Sequence, residues 1–294
     1  MRTKDCFFGQ VRAVTETWKG RQTTWAPPAL GEVTRWAVTW DDVTGLNPLY
    51  DKCPVECEYH RYGEMLAGIS WDNYSFVNDF IKPHQTPEYY EQQIKEDYNS
   101  QEARLCFLLA IAYGIDTIVS KTDCQDYDFV VARQFDTWWS ARNPDVDETA
   151  EFMLNKYPQR LSEYTSNIHD IPLAYISSIN AKDHPVEYTE NFPIIGSSKC
   201  IAQIFNAQAV KLVANRFFDM TLREYETIYR TLGTDMQSRI MSWQPGYIVH
   251  RVLTKCDVHI MDIQDLEVLN IRPGWNVDCP HDFSHIARST GDSD

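Results

Sequence analysis

Between Glu102 and Val119 the chain carries Leu105, Leu108, Leu109, Ala112, Ile115 and Ile118 at helical spacing. Those positions share one broad face of an α-helix, and a face of that length must be covered by another layer of structure. Gly114 lies inside the run, where it costs about 1 kcal/mol relative to alanine without forbidding the helix. This helix therefore sets the requirement that the remaining segments have to meet: they must supply a layer for it to lie on.

The segments before it read as strands and turns. Val11–Thr17 alternates partly, and Val33–Trp40 alternates better, with Val33, Trp36, Val38 and Trp40 among polar or small neighbours. Thr86-Pro87-Glu88 opens a helix, with a capping hydroxyl followed by a ring whose φ suits the first turn. Tyr127–Arg142 and Asp145–Tyr157 are further helix candidates, the second with Asp145 and Glu148 at capping-box spacing. Leu173–Ile179 reads as a strand. Cys200–Phe218 reads as a helix through Ile201, Ile204, Phe205, Leu212, Val213 and Phe217, and Thr221–Leu232 as another that stops at Gly233. Three short runs follow, Tyr247–Leu253, Val258–Ile263 and Leu266–Ile271, and these read as strands.

Strands, then helices, then strands predicts an α+β fold, a central helical region flanked by N-terminal and C-terminal β-rich segments, rather than a doubly wound sheet. One compact domain is expected over residues 1–294, subdivided if anywhere near 180–197, where turn formers cluster; residues 291–294 form a frayed polar tail.

Of the 294 residues, 43% are hydrophobic, with 9 Trp, 16 Tyr and 13 Phe, which is core material rather than the makings of a disordered chain. The formal charge of −15, from 42 acidic against 27 basic residues, repels phosphate backbones, so nonspecific nucleic-acid binding is not expected. No run approaches the roughly 20 apolar residues of a membrane span, and Met1–Gln10 lacks the apolar core of a signal peptide. Eight cysteines are too sparse for a disulfide scaffold of this length, which points to a reducing, cytoplasmic or intracellular compartment.

Glycine-rich phosphate loops and the GxSxG elbow are absent, and no catalytic residue is assigned. Two Cys/His groups have the donor chemistry of zinc, the one metal cofactor the sequence suggests. Cys256, His259 and Cys279, with one of His281 and His285, would close a four-ligand structural site near the end of the chain. Cys53, Cys57 and His60 would share one face if that segment were helical. His281 and His285, four apart with Asp282 between, would also suit a catalytic metal on a helix. Glu56, Glu58, Glu64 and Asp72, beside Trp71 and Tyr74, would suit a sugar-binding cleft, though solvated acidic faces account for them as well.

Adjacent aromatics give a different clue. Trp138-Trp139 and Phe217-Phe218, read as helical, point about 100° apart, so one member of each pair is left for an interface. That reading favours a structural or assembly subunit of a larger, coat-like particle such as a virion capsid, partnered by itself or another subunit. The alternatives are a metal-dependent or glycan-processing hydrolase and a non-enzymatic adaptor.

Overall fold

The computed structural model describes residues 2–9, 32–39, 56–59, 62–74, 86–95, 101–134, 137–141, 171–179, 197–232, 245–262, 266–270, 275–276 and 287–288. The fold is α+β. Its strands are β1 (Arg2–Gly9), β2 (Glu32–Thr39), β3 (Glu56–Tyr59), β4 (Phe129–Gln134), β5 (Thr137–Ala141), β6 (Leu173–Ile179), β7 (Ser197–Asn206), β8 (His259–Asp262), β9 (Leu266–Asn270), β10 (Trp275–Asn276) and β11 (Ala287–Arg288). Among the described residues seven of them form one sheet in the order β3-β2-β1-β4-β7-β6-β8, while β5 pairs with β9 and β10 with β11. The pairings β3–β2–β1–β4 are all parallel; β7 is antiparallel to both neighbours, and β8 is parallel to β6.

The helices are α1 (Tyr62–Ala67), α2 (Pro87–Lys95), α3 (Gln101–Ser120), α4 (Ala207–Val213), α5 (Phe217–Leu232) and α6 (Pro245–Lys255). The long periodic run is α3, and the layer it requires is the sheet. Leu105, Leu108, Leu109, Ala112, Ile115 and Ile118 are all buried, in one core with Cys6 and Phe8 of β1, Trp36 and Val38 of β2, and Val130 and Ala132 of β4. Gly114 has a packing reason: a Cβ there would lie 2.7 Å from Phe8 Cβ, so α3 approaches β1 only because that atom is missing. Among the described residues no helix is long and apolar enough to cross a membrane.

Side-chain hydrogen bonds fix how the helices lie on one another. Asp116 of α3 caps α5 from outside it, its Oδ1 accepting the backbone N–H groups of Phe217 at 2.9 Å and Phe218 at 3.4 Å. Burial pushes the Asp116 carboxyl above its ordinary range, against the pull of those N–H groups. Glu224 of α5, itself buried, is ion-paired with Arg251 and Lys255 of α6 and so clamps the two helices together. At the amino edge of the sheet, Asn206 Oδ1 accepts from Leu173 N–H and Ala209 N–H, which ties β7 to β6 and caps α4 at once. Lys4 is also held there, its Nζ donating to Lys121 O and Thr122 Oγ1 and lying 5.1 Å from the centre of the Trp36 ring.

The opposite face of the sheet is buried as well. Asp5, Phe7, Ala37, Val131, Arg133 and Ile204 all lie within it. Arg133 and Asp5 meet there in a two-pronged pair, Nε to Oδ1 at 2.9 Å and Nη2 to Oδ2 at 2.6 Å. The guanidinium also lies over the Phe7 ring, 4.2 Å from its centre.

Several expectations need correction. Tyr127–Arg142 is not a helix but β4 and β5, and the first half of Cys200–Phe218 is the end of β7 rather than helix. Strands buried on both faces lose the polar alternation that would have marked them. Tyr247–Leu253 is helical, within α6: Ile248, Val249, Val252 and Leu253 are buried at the spacing of one helical face. The parallel order β3-β2-β1-β4 also differs from the expectation of no wound sheet. Val11–Thr17, Asp145–Tyr157 and residues 291–294 lie outside the described residues.

The Asp5–Arg133 pair makes a prediction. Arg133→Ala strands a buried carboxylate and should cost about 3–5 kcal/mol in urea unfolding, whereas the double change Asp5→Leu with Arg133→Met should recover most of that loss. A single-mutant cost below about 1 kcal/mol would show that the pair does not hold these strands.

Candidate functional site

From β1 the chain passes to β2 and β3 on one side, then returns through α1, α2 and α3 to β4 on the other side of β1. Connections leaving the carboxyl ends of β1 and β4 therefore diverge, and open α/β sheets bind their ligands in the crevice that such a divergence creates. Phe8 and Gly9 of β1, Thr39 of β2 and Arg133 and Gln134 of β4 lie at this edge. Gly9 has φ 101°, a conformation that side chains disfavour. Arg133, next to the last residue of β4, is held by Asp5 and Phe7 and is wholly buried, so this end of β4 is fixed against β1 by a buried charged pair.

None of these residues was a candidate on sequence grounds. The available signals were an arginine inside the apolar run Phe129–Ala132 and a glycine closing Asp5–Phe8, and both are local patterns of low specificity.

The sequence candidates lie elsewhere. Cys256 is buried just after α6, its Sγ 3.2 Å from Met220 Sδ, and burial pushes its thiol above the ordinary value. His259 is exposed at the start of β8, so the two do not share an environment. Cys279, His281 and His285 lie outside the described residues, as do Cys53 and His60. Cys57 is in strand β3, which removes the helical face assumed for that group. Among the described residues no three His, Cys, Asp or Glu side chains come together as a metal site would require.

Of the acidic and aromatic group suited to a sugar-binding cleft, Glu56 and Glu58 are in strand β3. Trp71 is buried with its Nε1 donating to Leu66 O at 3.0 Å, Tyr74 meets it edge-on, and Glu64 and Asp72 are exposed. Phe217 is wholly within the core, and Phe218, partly buried, packs edge-on against Tyr113. Trp138 and Trp139 are in strand β5, opposite Leu269 and Val268 of β9.

No family model matches the chain, and no curated protein matches it in sequence. Among solved structures it is similar to the galactosyltransferase LgtC in complex with donor and acceptor sugar analogs, at 8% identity and a TM-score of 0.44, over 97% of this chain and 95% of that one. An active-site mutant of LgtC matches at 10% identity and a TM-score of 0.41, over 88% and 72%. The mannosyltransferase Ktr4p from S. cerevisiae matches at 10% identity and a TM-score of 0.39, over 91% and 70%. These neighbours are sugar-transferring enzymes, which corrects the expectation of a coat-like structural subunit of a virion or capsid. The aromatic pairs behind that expectation rested on helices; Trp138-Trp139 is in a strand, while Phe217-Phe218 opens α5 with Phe217 buried and Phe218 partly buried.

The placement of Cys256 yields a test of the zinc reading. With its thiol against Met220 in the core, Cys256→Ser should cost about 1 kcal/mol or more of unfolding free energy, by burying a hydroxyl, with no change in metal content by mass spectrometry of the native protein. Joint loss of zinc and stability would instead make it a ligand.

Proposed function

We propose that the chain is a glycan-processing enzyme that transfers a sugar from a nucleotide-linked donor, the donor seated at the carboxyl ends of β1 and β4. The observation that carries this reading is the strand order β3-β2-β1-β4 with its divergence between β1 and β4. In wound sheets that is where nucleotides are held, and a glycine with positive φ at the end of β1 fits close approach of a diphosphate to the main chain. The aromatic content, 13% of residues, fits the apolar faces of sugar rings.

In the reaction the bond between the anomeric carbon and the donor's phosphate oxygen breaks, and the nucleoside diphosphate leaves with the electron pair. An acceptor hydroxyl oxygen bonds to that carbon, and its proton passes to the departing diphosphate. The contribution of the described residues is positional: Asp5 and Arg133 fix β1 against β4, which holds the carboxyl ends of the two strands in register. A reducing, intracellular compartment belongs to the same proposal and fits the reduced thiols of Cys6, Cys124 and Cys256.

Calorimetric titration with UDP, UDP-glucose, UDP-galactose, GDP and GDP-mannose, each with and without a divalent cation, tests the proposal. At least one nucleotide should bind with a Kd of roughly 1 mM or tighter, in the ordinary range for an enzyme's substrate. Gly9→Ala should weaken that binding while the far-ultraviolet spectrum stays native. Absence of binding by every nucleotide would overturn the reading.

A further inference from the structure

Gln203 of β7 is 0% exposed, and among the described residues neither its Oε1 nor its Nε2 has a hydrogen-bond partner. It lies two positions from Phe205, so both side chains are on the helical face of the sheet, where Phe205 shares a core with Ile248, Val249, Val252 and Leu253 of α6. Its neighbours across the ladder are Ala132 of β4 and Ile176 of β6. A buried amide without a partner is a cost that native folds rarely leave uncompensated.

A second such atom is on the helix that packs against β7. This is Nδ1 of His250 in α6, enclosed and likewise without a hydrogen-bond partner among the described residues. Burial holds the imidazole below its ordinary pKa, so the ring is neutral, with one nitrogen a donor and the other an acceptor. The heights of the two groups can be counted from the amino edge. β8 begins at His259 opposite Leu173 of β6, and Gln203 stands opposite Ile176, three residues further along and about 10 Å from that edge. α6 enters β8 through a tight turn in which Val258 N–H donates to Leu253 O. His250 lies five residues before the helix end at Lys255, about 8 Å along the axis. The two groups therefore stand at about the same height on elements that pack together.

From these two buried groups at one height, we infer that β7 and α6 enclose a water-binding site, a single water held between the side-chain amide of Gln203 and Nδ1 of His250. Water both donates and accepts, and so serves an amide and an imidazole nitrogen at once. Gln203 is sealed from solvent, which restricts the ligand to a molecule small enough to be trapped as the chain folds. On one side of the amide the row carries only the methyl group of Ala132. The bridge adds a directional contact to the apolar packing of α6 on the sheet, and it is independent of the sugar-transfer reading.

The experiment has two arms on the full chain. A crystal structure of the wild-type protein, with oxygen-17 relaxation dispersion in solution to count long-lived internal waters, reads the water directly. Urea unfolding of Gln203→Leu, His250→Phe and the double variant reads its energetic consequence, with far-ultraviolet spectra confirming the fold of each.

Density for a water within about 3.2 Å of both the Gln203 amide and His250 Nδ1 is expected. Gln203→Leu should remove one long-lived water from the relaxation signal. Because it leaves the imidazole without its bridge, it should also raise the unfolding equilibrium constant roughly five- to thirtyfold. His250→Phe should act in the same direction, and the double variant should lose less than the two single changes combined. A Gln203→Leu variant more stable than the wild type, with the water count unchanged, would show that the amide is buried dry, and the inference falls. Additive effects of the two changes overturn the bridge, as does a direct Gln203–His250 hydrogen bond in the crystal. If a variant does not fold, the wild-type density decides: a water touching both groups supports the site, and none there overturns it.

Discussion

A carboxylate and a guanidinium buried between two parallel strands must find each other, or the strands cannot be buried. Asp5 and Arg133 do so across the β1–β4 junction, on the face of the sheet away from α3. Removing either charge from water costs several kcal/mol, which only a well-made pair offsets. The pair is therefore less a source of net stability than a selector of register. Slipping β4 by one residue against β1 would turn Arg133 to the other face, into the core that Phe8, Val130 and Ala132 share with α3. Both strands end within a few residues of the pair, so the constraint that sets their register also sets the gap between their carboxyl ends.

The helical layer is placed by smaller constraints that act on the same two strands. Gly114 lets α3 rest on Phe8 of β1, Asp116 on the next turn caps α5, and Glu224 of α5 holds α6, which packs against β7. At the amino edge, the Arg2 backbone N–H donates to Asp128 Oδ2 at 2.7 Å and the Asp128 N–H donates to Arg2 O at 2.8 Å, closing β1 against the turn that enters β4. One edge of the sheet is thus occupied with holding the fold together, which leaves the carboxyl edge for a ligand. That division of labour is common to wound sheets and follows from their geometry.

What the sequence made legible was one long helix and one short strand. The stripe from Leu105 to Ile118 marked α3 almost to its ends, and Leu173–Ile179 marked β6 to the residue. Misreadings fell where both faces are buried. Phe129, Val130, Val131 and Ala132 are all apolar because each face of β4 is covered, and a continuous apolar run carries no period to separate strand from helix. The same ambiguity turned β7 into a helix; Tyr247–Leu253 was misread for another reason, a run too short to separate the two periods, though α6 buries only one face. Site residues were harder still, because Gly9, Arg133 and Gln134 are functional candidates only by virtue of which strands lie side by side, and strand order is a non-local property. Cysteine and histidine spacing drew attention to Cys256 and His259, yet one is a core thiol against Met220 and the other faces solvent.

The central claim is that ligand binds at the carboxyl ends of β1 and β4, and amide hydrogen exchange read with and without saturating UDP-galactose or GDP-mannose tests it most directly. The account predicts slowed exchange at Phe8, Gly9 and Gln134, with no change at Lys4, Asp128 or Ala207 on the amino edge. Protection concentrated at the amino edge, or on the exposed face of α5 with none at Gly9 or Gln134, would contradict it.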